Sequence, residues 1–254
     1  MTKKILLAAF ALLAIGCSEQ TKETARVHTP VQTLVFIDKT QSIDVSKPYI
    51  ATKYQGELNN LIEQNIQGEG DKLEIYYIHE NTAKARCLSM VCRSSMGMIE
   101  GKNPTDVEAI KMGFDLSLKR EKAVFQKQSN MRLMQTNASS SNNYTDVLAS
   151  LEVIAKLAEN SQNMKVYYFS DMIESMKGSG RRDFQFTPPK DAAQANEWAK
   201  VDAERYKNLV LGSPEITIIS PFEPTASSKE NNPMVSVYWK TLFENLGISM
   251  LNEI

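Results

Sequence analysis

The stretch Leu34-Val35-Phe36-Ile37-Asp38-Lys39-Thr40-Gln41-Ser42 decides how this chain folds. Four apolar residues run without a polar break, then give way to an acid and, at alternate positions after it, two hydroxyls. A continuous apolar run of this length suits a strand buried on both faces, as in the middle of a parallel sheet. Ligand sites in such sheets lie just beyond the carboxyl ends of the strands. Asp38, Thr40 and Ser42 fall there. A carboxylate and two hydroxyls are hard oxygen donors, suited to magnesium or manganese and poorly suited to zinc or copper.

The chain downstream alternates between strand and helix. Pro48 opens a helical pattern through Ile50, Tyr54, Leu58, Leu61 and Ile62, which Gly68-Glu69-Gly70 stops. Leu73 to Ile78 reads as a second strand and Ala83 to Met90 as a third. A long helical stretch begins at Pro104-Thr105-Asp106 and runs to about 135. Its apolar residues spread beyond one face, which leaves open two helices or a single outlying one. After the polar loop Thr136 to Asn143, Tyr144-Thr145-Asp146 is expected to cap a helix through Val147, Leu148, Leu151 and Ile154. Residues 165–170 (KVYYFS) form another buried strand ending on Asp171. A helix over about 190–210, a strand at Glu215 to Ile219, a helix from Val235 to Leu246 and a short edge strand at Ile248 to Leu251 complete the series. This order predicts a doubly wound α/β fold: a mostly parallel central sheet flanked by helices, with one antiparallel edge strand.

At 254 residues the chain is long enough for a full core. A formal net charge of -1 argues against nucleic-acid binding by bulk electrostatics. The first residues carry an address. Lys3 and Lys4 precede an apolar run, Ile5 to Ile15, too short to span a bilayer. Leu13-Ala14-Ile15-Gly16-Cys17 then resembles the lipobox of bacterial lipoproteins, although Ala14 stands where leucine is more usual. That resemblance implies cleavage before Cys17, its lipidation and an envelope location facing the periplasm; a plain secretory signal is the alternative. Ser18 lacks the acidic retention signal of the inner membrane, which favours the outer one. Residues 1–17 are thus expected to be the signal peptide, 18–30 a flexible tether, and 31–254 one domain with a helical insertion around 91–143.

Cys87 and Cys92 remain. In an oxidising compartment such a pair is expected to form a disulfide, here across a hairpin turn, with two free buried thiols or a metal site as alternatives. His28 and His79 stand beside no nucleophile or metal partner in sequence. Arg181-Arg182, beside Gly178-Ser179-Gly180, reads as a solvated loop that would flank the metal face.

Three loops offer oxygen ligands in order: Asp38-x-Thr40-x-Ser42, Thr145 and Asp171. This set resembles the von Willebrand factor A domain and its metal-ion-dependent adhesion site, whose motif is D-x-S-x-S, then a Thr, then an Asp. Thr40 keeps the hydroxyl of the first serine; Met172 stands where the family usually has glycine. The resemblance implies direct contacts to Mg2+ or Mn2+ from Thr40, Ser42 and Thr145, contacts through water from Asp38 and Asp171, and a Glu or Asp of a protein partner completing the ion. It implies binding, not turnover.

Two other readings stay open. Asp38-Lys39-Thr40 also resembles the nucleophile motif of haloacid-dehalogenase-type phosphatases, which would make Asp38 attack phosphorus with magnesium bound; the second acid those enzymes need is Thr40 here. The third is a metal-free structural subunit of an envelope complex.

Overall fold

β1 (Gln32–Asp38) is buried along its whole length. Leu34 and Phe36 face one side of the sheet, Val35 and Ile37 the other. The continuous apolar run is the consequence of that two-sided burial. The structure, a computed structural model, describes residues 28–40, 43–136, 143–228 and 231–254. The signal segment, Cys17, most of the tether and Ser42 lie outside the described residues.

Six strands form one sheet in the order β3-β2-β1-β4-β5-β6. β2 (Lys72–Ile78) and β4 (Met164–Phe169) flank β1 and run parallel to it, with Asp38 opposite Ile78 and Ile37 opposite Phe169. β5 (Glu215–Ile219) and β6 (Leu251–Glu253) continue in parallel, and β3 (Arg86–Val91) closes the other edge antiparallel to β2. The antiparallel edge is therefore β3; the last strand begins three residues later than its apolar residues suggest.

Among the described residues five α-helices cover the sheet. α1 (Pro48–Asn65) and α2 (Pro104–Met134) lie over Val35 and Ile37. α3 (Ser150–Ala158), α4 (Ala192–Tyr206) and α5 (Pro233–Asn245) lie over Leu34 and Phe36. α1 buries the expected stripe, Ile50, Tyr54, Leu58, Leu61 and Ile62. α2 is one continuous outlying helix of 31 residues; only Leu118, Phe125, Ser129 and Leu133 are buried, which is why its apolar spacing looked loose. It is clamped to α1 by Lys122 and Gln126 on Glu63 and by Asn130 on Asn59.

The expected disulfide does not form: Cys87 and Cys92 are free thiols. Both belong to one extended segment instead of the two arms of a hairpin. Five residues of strand span roughly 16 Å, whereas bridged Cα atoms stand about 4.4–6.8 Å apart. Cys87 is the extra residue of a β-bulge, since Leu88 pairs with Ile75 and Arg86 with Tyr76. The Cys92 thiol instead contacts a Glu121 oxygen of α2 at 3.2 Å, and burial pushes its pKa up to about 11.

The entry to β1 is anchored, not loose. The buried Asp71 accepts hydrogen bonds from the amides of Val31, Gln67 and Gly68 and lies 2.8 Å from His28 Nε2. His28 and Pro30, at the end of the expected tether, also pack against Gly68 and Gly70.

Candidate metal centre

Asp38 sits at the carboxyl end of β1, fully buried. Its Oδ1 accepts from the Thr40 amide at 2.9 Å and the Thr40 hydroxyl at 2.6 Å; its Oδ2 accepts from the Ser170 hydroxyl at 2.7 Å. Burial raises its pKa, against the opposing pull of these bonds. A hydroxyl that gives its proton to a carboxylate turns its oxygen lone pairs elsewhere, so Thr40 is arranged as an acceptor. Lys39 does not neutralise the acid directly. Its Nζ donates to the Leu133 carbonyl at 2.5 Å, in the last turn of α2, and sits 5.2 Å from the centre of the Tyr77 ring. The negative end of the helix dipole suits that cation, while burial lowers its pKa to about 8.

The second and third loops are joined to each other. Thr145 and Ser175 exchange backbone hydrogen bonds of 3.0 and 2.9 Å. The next amide, of Asp146, donates to the His79 carbonyl just beyond β2. Thr145, itself buried, is therefore held beside the carboxyl end of β2, against the loop that follows β4. It is not a helix cap: α3 begins at Ser150. The intervening run is held from afar. Glu174 accepts from the Val147 and Leu148 amides at 2.7 and 3.1 Å, and Arg181 donates to both Glu174 and Asp146. Glu174 is fully buried, and burial followed by the charge of Asp146 pushes its pKa up to about 7. The two arginines of this loop are thus internal struts, with Arg182 bonded to the buried Asp202.

Asp171 follows Ser170 directly and accepts the Ile173 amide at 3.0 Å. Beyond it Met172 holds a left-handed backbone, φ 59°. A side chain at positive φ is strained, and glycine is the residue that avoids that strain. Here the conformation is fixed by tertiary contacts: the Trp239 indole donates to the Met172 carbonyl at 2.7 Å and the methionine side chain is buried. The departure at this position therefore changes the residue while keeping the turn a glycine would make.

Beneath these loops lies Tyr54 of α1, fully buried and edge-on to Phe169, whose hydroxyl has no hydrogen-bond partner among the described residues. Burial first, then the charges of Asp38 and Asp171, hold it protonated well above its usual range. One tyrosine thus feels both carboxylates. Sequence reasoning missed Ser170, Tyr54 and Glu174. The signal for Ser170 was its place at the strand end beside Asp171; Tyr54 read only as core, and nothing local marked Glu174.

Hydrogen bonds join Asp38, Thr40 and Ser170, Asp171 follows Ser170 in the chain, and Thr145 is tied to Ser175 of the same loop; Ser42 lies outside the described residues. Among the described residues no three His, Cys, Asp or Glu side chains gather to hold a metal. The candidate set is instead two carboxylates with hydroxyls, hard oxygen chemistry that fits magnesium or manganese.

No protein-family model and no curated protein sequence matches the chain. Similar solved structures include a von Willebrand factor type A protein from Catenulispora acidiphila, at 8% identity and TM-score 0.36, over 86% of this chain and 42% of that one. The manganese-loaded TRAP protein of Plasmodium vivax is similar at 12% identity and TM-score 0.35, over 81% and 62%. The PilB minor pilin of Streptococcus sanguinis is similar at 10% identity and TM-score 0.39, over 91% and 58%. The chain spans roughly half the length of the solved chains it is similar to.

Proposed function

We propose that this chain is a lipid-anchored envelope protein whose single domain, of von Willebrand factor A type, holds Mg2+ or Mn2+ and through that ion binds an acidic side chain of a protein partner. One observation supports the reading: the buried Asp38 accepts the Thr40 hydroxyl on one oxygen and, on the other, the hydroxyl of Ser170, the residue before Asp171. Thr40, Ser42 and Thr145 would supply neutral oxygens, with Asp38 and Asp171 acting through bound water. Neutral ligands leave much of the dication's charge uncompensated, and a carboxylate from outside satisfies it in a partly desolvated, charge-assisted contact. Both Asp38 oxygens are engaged by Thr40 and Ser170, and Lys39 points away; these features favour holding an ion over attacking a phosphoryl group. The lipobox at Cys17 supports the periplasm-facing anchor, and Ser18, which lacks the inner-membrane retention signal, favours the outer membrane.

Calorimetric titration of the full chain in detergent with Mn2+ is the test. Heat that disappears in Asp38→Ala is expected; heat unchanged by that substitution rejects the site. Capture of a partner from membranes, lost on chelation, would extend the result to the acidic contact.

A further inference from the structure

α2 is apolar on two opposite faces. Its inner face buries Leu118, Phe125 and Leu133 in the core beneath it. Met112, Leu116, Val124, Met131 and Met134 fall on the other side, within an arc of about 120°, and each is 44–60% exposed. Single apolar residues on a surface are ordinary, but a continuous stripe of them marks a contact. The stripe runs roughly 33 Å along the helix. Between Met112 and Met134 its charges are Arg120 and Lys127, both basic and both exposed. The nearby acid Glu121 is turned away, holding the Arg93 and Ser94 amides.

The route of the chain says what covers this face. His28 lies against Asp71, whose carbonyl accepts the Cys92 amide, and the Cys92 thiol meets Glu121 midway along α2. The chain therefore enters the domain beside the middle of this helix. Ser18 to Val27 adds ten residues, which span at most about 36 Å. A lipid on Cys17 would thus keep α2 within reach of the bilayer. An antiparallel second copy would bring Arg120 of one helix near Lys127 of the other, and like charges oppose that pairing. We propose that the outer face of α2 lies on the anionic phospholipid surface that holds the Cys17 lipid. Its apolar side chains enter the interface, and Arg120 and Lys127 extend to the phosphates. Among the described residues no helix is long and apolar enough to cross a membrane, so α2 lies along the surface. The lipid holds the domain near the membrane; the helix sets which side faces it. This inference rests on the lipid-anchor reading above and is independent of the cation.

The test places the full chain, purified from bacterial membranes, in vesicles of phosphatidylcholine with a third phosphatidylglycerol. Methionine oxidation by dilute hydrogen peroxide is then followed peptide by peptide. Met112, Met131 and Met250 are 60, 56 and 55% exposed, so Met250 is the internal reference. Met112 and Met131 should oxidise about fivefold more slowly than Met250. That protection should fall to roughly twofold or less when Arg120→Glu is combined with Lys127→Glu. Mass spectrometry of the amino-terminal peptide reads the lipid on Cys17 separately. A lipidated chain whose Met112 and Met131 oxidise as fast as Met250 overturns the proposal and keeps the anchor. Protection without lipid on Cys17 keeps the helix contact and removes the anchor; neither lipid nor protection overturns both. Protection that survives the double charge reversal, or that grows with protein density at fixed lipid composition, overturns the anionic surface as the occupant, the latter in favour of a second copy.

Discussion

Tyr54→Phe is expected to make the metal-free protein more stable. The side chain is fully buried and its hydroxyl has no partner among the described residues, whereas in the unfolded chain that hydroxyl is hydrated. Leaving a buried donor unpaired costs about 1–3 kcal/mol. Removing the oxygen also gives up some close contacts, so the expected net gain is about 1 kcal/mol. The ring and its edge-on contact with Phe169, 5.1 Å between centroids, are unchanged. For a domain of this size such a gain raises Tm by roughly 2–4 °C. Differential scanning calorimetry at pH 7 in EDTA reads it directly. Adding Mn2+ should shrink the difference, because the hydroxyl that feels both Asp38 and Asp171 gains a partner in the ion's water shell and the wild type then profits more from the ligand. A Tm that falls in EDTA would refute the reasoning, since it would mean that the hydroxyl is satisfied without the ion.

Three other outcomes follow from the same contacts. Ser170→Ala removes the 2.7 Å bond to Asp38 and the acceptor of the Met172 amide; it should cost about 2–3 kcal/mol, read as a lower urea midpoint at unchanged m, and should weaken Mn2+ binding. Glu174 has a folded pKa raised to about 7 from 4.5, so the native state holds the proton more tightly than the unfolded chain. Stability from this group is fully present below about pH 4.5 and is lost as pH rises through 7. Glu174→Gln should flatten that part of the stability-pH profile, a span of about 3 kcal/mol at most; an unchanged slope would contradict the assignment. Thiol titration of the unfolded chain without reductant should find Cys87 and Cys92 both reactive, and their absence from the count would restore the disulfide.

What the sequence made legible follows the range of the forces involved. β1 and its acid could be read directly, because two-sided burial writes itself as an uninterrupted apolar run. The α1 stripe was equally plain. The local reading of Thr145 as a helix cap does not hold. Residues 144–149 look like a helix start, yet α3 begins only at Ser150, and the Val147 and Leu148 amides are held by Glu174, which lies 27 residues from Val147. The cysteine pairing failed for a related reason: spacing along a chain says nothing of whether the segment turns, and β-pairing with β2 keeps this one extended. Arg181 and Arg182 read as solvent-facing because glycines surround them; their acidic partners, Asp146, Glu174 and Asp202, come from elsewhere in the fold. At Met172 the fold supplies from Trp239 what glycine would have provided through its backbone.

The most direct measurement is anomalous diffraction from crystals grown with Mn2+. The account predicts one peak at the carboxyl end of β1, within about 2.3 Å of the Thr40 and Thr145 hydroxyl oxygens and bridged by water to Asp38 and Asp171. A peak elsewhere, or none at this strand end at saturating Mn2+, would contradict it.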